Sequence, residues 1–214
     1  MVIRAPATAA PRTWLVAETY EGNGYSGTAP TEHGTVDEDE ATIVASGAQS
    51  CEIVTATTAD VMWLFDATSE IWGTFPVYVP DATPTAELYL GYMTGASGTE
   101  ISSIRLRTTG VWRTAHNGIL VNSASAGDMA DATWIRVWFH WKGETSEGAA
   151  NGIFELWTST LAETNRADAT QVISQTNGTG LTVESFFIRA TPANSMSVYF
   201  DDTYVDDEEF TTVP

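Results

Sequence analysis

Apolar and polar side chains alternate along this chain in short runs with a period close to two. The clearest run is TWIRVWFHWK over 133–142. Ile135, Val137, Phe139 and Trp141 share one face, and Trp134, Arg136, Trp138, His140 and Lys142 share the other, because successive side chains of a strand point to opposite sides. The first set predicts a core face. The second is too aromatic for plain solvent and predicts the open face of a sheet, shaped as a groove. Similar alternation runs through 60–66 (Val61, Trp63, Phe65), 86–93 (Leu88, Leu90 and Tyr92 against Glu87, Tyr89 and Gly91), 101–107, 153–157 and 196–200. Over 183–189 large apolar residues occupy both faces, which predicts a central strand.

Turn signals separate these runs: GNG at 22–24, SG at 46–47 and 97–98, TG at 94–95 and 109–110, NG at 117–118 and 151–152, KG at 142–143, and NGTG at 177–180. Turns recurring every 8–12 residues or so between short β-rich runs predict an all-β antiparallel sandwich or barrel. Residues 158–170 are polar without an apolar stripe and predict a loop with one short turn at most.

Composition adds bounds to this pattern. A chain of 214 residues with 43% hydrophobic and 11% aromatic residues can build one real core. Residues 1–13, with four alanines before Pro11, read as an arm or linker, and 14–214 as a single domain. No apolar run is long enough for a membrane helix. The chain opens without a continuous apolar stretch of the signal-peptide kind, so synthesis in the host cytoplasm without a signal peptide is expected. Cys51 stands alone, which excludes an intramolecular disulfide and suits a small buried apolar group. The net charge is −19, and Lys142 is the sole lysine. A field of that sign does not attract nucleic acid. The acid excess admits two readings, general solubility and adaptation to a saline habitat.

Several segments share one order: Tyr20-Glu21-Gly22 near the start, the strand SCEIV, ISSIRLRTTGVWR, the run from Trp134 to Trp141, NGIFELWTS, and Phe200-Asp201-Asp202 with Val205-Asp206 at the close. This order resembles the concanavalin A-like jelly rolls, also called LamG-like or lectin/glucanase-like domains. It is most similar to the versions carried by tailed phages and environmental viruses. The resemblance covers roughly residues 14–210. It implies an antiparallel β-sandwich in which the first and last strands pair.

The resemblance does not fix an activity, because the fold hosts lectins, glycosidases, lyases and structural modules. Glucanase relatives carry Glu-x-Asp-x-Glu or Glu-x-Asp-x-x-Glu on one strand, and that motif is missing here. Asp-Glu-Asp-Glu at 37–40 reads as a loop, and on a strand its adjacent acids would point to opposite faces. The lyase signatures are also missing, since IRLR at 104–107 lacks the acid. An enzyme would need distant carboxylates such as Glu155 and Asp202 to converge at glycosidase spacing. No enzymatic activity is expected.

Two sites remain as expectations. Trp134, Arg136, Trp138 and His140 form a candidate glycan face, which Tyr89 or Trp112 would extend, since sugars stack on aromatic rings beside polar groups. Asp201 and Asp202 resemble the acids that hold calcium in some LamG-like domains, so calcium is the one cofactor the resemblance admits. Taken together, the sequence points to a non-enzymatic virion structural protein, a capsid decoration or tail- or fibre-attached module. The expected partners are other copies of itself (a trimer or higher), the major capsid or tail protein, and a surface glycan. Neither nucleic acid nor membrane insertion is expected. The alternative is a lectin-like carbohydrate-binding module for attachment.

Overall fold

The computed structural model describes residues 12–21, 25, 30–54, 58–124, 129–177, 180–190 and 196–214. Among these residues, sixteen strands form two antiparallel sheets of nine and seven strands that pack as a sandwich. The expected class is therefore observed: an all-β, concanavalin A-like jelly roll.

The seven-stranded sheet contains β2 (Thr31–His33), β5 (Ala59–Thr68), β7 (Leu88–Thr94), β8 (Glu100–Leu106), β9 (Trp112–His116), β10 (Ile119–Asn122) and β14 (Val183–Ala190). Its order is β10-β9-β8-β7-β14-β5-β2. The central place of β14 explains its apolar residues on both faces. Phe186 and Ile188 enter the core, while Phe187 packs against Tyr92 on the outer side.

The nine-stranded sheet contains β1 (Val16–Glu18), β3 (Val36–Glu40), β4 (Ser50–Val54), β6 (Glu70–Val79), β11 (Thr133–Lys142), β12 (Gly152–Ser159), β13 (Thr170–Asn177), β15 (Ser197–Phe200) and β16 (Thr203–Asp206). The first and last strands pair as expected, with Val16 opposite Val205. The face of β11 predicted for the core is there, and Val137, Phe139 and Trp141 are fully buried. Phe139 stacks on Phe186 across the sandwich at 5.1 Å.

The strand β6 carries Pro76 in its middle and gives no clear alternation in the sequence. A proline normally breaks an interior ladder because it lacks an N–H. Here the neighbouring strand is itself interrupted at that level. Tyr78 and Val77 pair with β15, Trp72, Gly73 and Thr74 pair with β16, and the turn Asp201–Asp202 lies between. The Pro76 carbonyl accepts the Asp201 N–H at 3.3 Å. The missing donor thus faces the gap between two short strands.

Candidate functional site

The outer face of the seven-stranded sheet carries a row of polar and aromatic side chains that crosses every strand. Cross-strand partners run His33 with Asp60, Asp60 with Arg189, Tyr89 with Arg105, Arg105 with Arg113, and Arg113 with Asn122. At about 4.8 Å between strands, the row spans roughly 29 Å. On β7 a bulge between Tyr89 and Gly91 shifts the alternation by one residue. Tyr92 therefore joins Tyr89 on the outer side, where the sequence pattern had grouped it with the core residues Leu88 and Leu90. The two rings lie 6.5 Å apart, and Phe187 meets Tyr92 edge-on at 5.3 Å.

Cations sit over these rings. The Arg105 guanidinium lies 4.0 Å from the Tyr89 centroid, and that of Arg189 lies 4.5 Å from Tyr92. Carboxylates tie the cations in place. Arg105 donates from Nη1 to Glu87 (3.2 Å), from Nη2 to Glu100 (2.7 Å) and from Nε to Ser103 Oγ (2.7 Å). Arg113 donates to the other oxygen of Glu87 at 2.7 Å and to Asn122 at 2.8 Å. Two like charges sit opposite each other, and Glu87 bridges them. Arg189 donates twice to Asp60 Oδ2, whose Oδ1 pairs with His33 Nδ1 at 2.8 Å. Burial raises the pKa of both Tyr89 and Tyr92 above the usual phenol value, so both stay neutral hydroxyls. Tyr89, Tyr92, Arg105, Arg113 and Arg189 are half-buried, which makes the row a fixed but accessible surface.

The four residues predicted as a glycan face do share the outer side of β11, but they do not form an open groove. Trp138 is only 1% exposed; it packs against Phe210 at 6.1 Å and donates from Nε1 to Ser159 Oγ. Trp14, Tyr204 and Phe210 complete that cluster, so both ends of the described chain cover the strand. His140 is also buried. Its ring stacks on Trp72 at 3.6 Å, and its two nitrogens face Glu155 (3.0 Å) and Glu70 (2.9 Å). Arg136 is 5% exposed, and Nε and Nη1 find no partner among the described residues. Burial lowers its pKa, against the pull of Asp202 and Asp201. Trp134 stays half-exposed beside Tyr78 at 5.6 Å. Beside His140 a cavity of about 380 Å³ is lined by Trp72, Glu155, Trp157 and Arg166. Arg166 already stacks on both tryptophans and pairs with Glu209.

Asp201 and Asp202 hold a loop. Asp201 Oδ2 accepts the N–H groups of Ala45 and Ser46, both at 3.0 Å, and Oδ1 accepts that of Asp202 at 2.8 Å. Asp202 accepts Ser46 Oγ at 2.7 Å. Glu21 grips the same loop by accepting from Ala48 and Gln49. Both lone pairs of Asp201 Oδ2 are thus used, and this pair does not fit a calcium site, which needs six to eight oxygens. Among the described residues, the group of three carboxylates that converges within 4.8 Å is Asp37, Glu40 and Glu52. Glu155 pairs with His140 and accepts from Gln171, whereas Asp202 accepts from Ser46. A hydroxyl–imidazole pair exists in Ser102 and His116 at 2.8 Å, but both are fully buried, and burial lowers His116 to about 4.

No protein-family model matches the chain, and no curated protein matches it in sequence. Solved structures do share its fold. The cellulose induced protein Cip1 matches with a TM-score of 0.68 at 12% identity, over 92% of this chain and 99% of that one. The alginate lyase Aly36B, solved with an alginate trisaccharide, matches with 0.55 at 9% identity, over 75% and 82%. A sialidase matches with 0.57 at 10% identity over 92% of this chain, which spans only 19% of the sialidase. These likenesses place the chain among β-sandwich jelly rolls of the concanavalin A-like type.

Proposed function

We propose that this protein is a non-catalytic carbohydrate-binding module that lays a glycan chain across the outer face of its seven-stranded sheet. The observation that carries the reading is the row from His33 to Asn122, where Tyr89 and Tyr92 stand among three buttressed arginines. Arg105 and Arg189 each lie over one face of Tyr89 and Tyr92, so a pyranose would pack on the edges and remaining faces of these rings, where the flanking polar groups fix its hydroxyls. The fold-level likeness to a lyase solved with a trisaccharide supports the reading by analogy. Non-catalysis is supported by the carboxylates of the row, which are engaged by arginines, and by the burial of Ser102 and His116. No cofactor is required, so binding should be equal in EDTA and in calcium. The test is calorimetric titration after a glycan array, comparing wild type with Tyr89→Ala and Tyr92→Ala. Each substitution should weaken binding about tenfold, the equivalent of about 1.4 kcal/mol. Unchanged affinity in both variants refutes the site, and release of reducing ends or unsaturated products refutes non-catalysis.

We further infer that the module is displayed as an oligomer on a viral particle, held by the capsid or tail protein. The support is the motif order from Tyr20-Glu21-Gly22 to Phe200-Asp201-Asp202 and its similarity to phage-borne jelly rolls. Mass spectrometry and cryo-electron microscopy of purified particles test this. Ordered copies on a capsid or tail are expected, and a monomer absent from every particle refutes it.

A further inference from the structure

The chemical class of glycan follows from how the arginines are paired, and this inference rests on the binding site just proposed. The chain has nine Lys and Arg residues in all. Three of them, Arg105, Arg113 and Arg189, stand in the outer row. Recognition of a uronate, sulfate or sialate needs an arginine fork open to the ligand, because bidentate pairing supplies both its strength and its geometry. Here each fork is already charge-paired from within. Arg105 is held by Glu87 and Glu100, Arg113 by Glu87, and Arg189 by Asp60. Three guanidinium groups meet three carboxylates, so these pairs are formally neutral, while the chain as a whole carries −19. A polyanion approaching this face would meet no surplus positive charge locally and strong repulsion at longer range.

The same pairing suits hydroxyls. A sugar hydroxyl donates and accepts, so it is matched where donors and acceptors alternate at fixed positions. Three of the five N–H donors of Arg105 are committed to Ser103, Glu87 and Glu100. The guanidinium lies over one face of Tyr89, next to the part of the ring that a sugar would meet. We propose that this face reads an uncharged polysaccharide, a neutral hexose or pentose chain, and that its arginine–carboxylate pairs close it to acidic glycans.

The experiment titrates the intact protein with neutral chains (β-glucan, mannan, xylan, galactan) and acidic chains (alginate, polygalacturonate, heparin, polysialic acid). Salt is raised from about 10 mM to about 1 M, which shortens the Debye length from about 30 Å to about 3 Å. Wild type should bind at least one neutral chain, with affinity changing less than about twofold over that range because no net charge is exchanged. It should bind no acidic chain at low salt. Glu87→Gln removes the carboxylate between Arg105 and Arg113 and should gain salt-sensitive binding of an acidic chain. Asp60→Asn, which frees Arg189 at the other end, is the second variant, and melting curves verify that both are folded. Salt-sensitive binding of an acidic chain by wild type overturns the neutral class while leaving the binding module intact. Failure of folded Glu87→Gln and folded Asp60→Asn both to gain acidic binding overturns the closure by pairing. Binding of no glycan of either class, at any salt, overturns the module itself.

Discussion

Asp201 should make the protein less stable as pH rises through the weakly acidic range, the reverse of the usual carboxylate behaviour. Its side chain is fully buried. Burial first, and then the neighbouring Asp202, push its pKa from 3.8 up to about 7, against three backbone N–H donors that favour the charged form. In the unfolded chain the group ionises near its ordinary value of about 3.9. Between those values the unfolded state has lost the proton and the folded state keeps it. The unfolded state therefore binds fewer protons, and folding stability falls with pH. The slope is about 1.4 kcal/mol per pH unit, and the full loss is on the order of 4 kcal/mol, complete above about pH 7. The assay is guanidinium unfolding at fixed ionic strength from about pH 4 to pH 8, followed by tryptophan fluorescence. Self-repulsion of a −19 chain acts in the same direction, so the comparison with Asp201→Asn isolates the residue. Asparagine keeps an acceptor for Ala45 and Ser46 but sets a donor against the Asp202 N–H, a cost of about 1–3 kcal/mol at low pH. The wild-type advantage should shrink across the window and vanish or reverse by about pH 8, where the two effects are similar in size. A constant difference between the two proteins from pH 4 to 8 refutes the reasoning.

Three further outcomes follow from the packing. Gly73→Ala should destabilise by about 1–3 kcal/mol or more, because a methyl group there overlaps the Phe139 ring in the closed core; denaturant midpoints measure it. Phe186→Ala should cost about 3–5 kcal/mol, since it removes a fully buried ring that meets Phe75 and Phe139; the same assay checks it. Ser102→Ala should cost about 1–3 kcal/mol by removing the buried partner of His116 Nδ1, and it should leave glycan affinity unchanged, which calorimetry can read.

The fold was legible because its signals are local. Alternation over 133–142 assigned the core face of β11 correctly, and the turn signals bounded most of the strands around the site. The motifs at the two chain ends also have a physical reading. Glu21 and Asp201–Asp202 grip one loop from opposite termini, so their order along the chain records a closed sandwich. β6 was harder to see, because a proline inside an interior strand is tolerated only where its neighbour is broken, and that break lies far along the chain at Asp201.

The proposed glycan face could be read only in part, for reasons that differ between the two sheets. Period-two patterning shows that the side of β11 bearing Trp138 is amphipathic, but not what lies on top of it. Phe210 and Trp14 settle that, and neither belongs to the strand. On the other sheet each strand supplies only one or two residues, so no single segment announces a site. Half of the row was nonetheless within reach of turn arithmetic. A hairpin centred on Thr109 sets Arg105 opposite Arg113, and one centred between Asn117 and Gly118 sets Arg113 opposite Asn122, as the observed pairings have it. The other half depends on β14 lying between β5 and β7 and on a bulge that turns Tyr92 outward. Those are long-range and phase-shifting events, which alternation within a strand does not encode. A search for sites in such sheets therefore gains more from pairing residues across predicted turns than from counting aromatic residues along one strand.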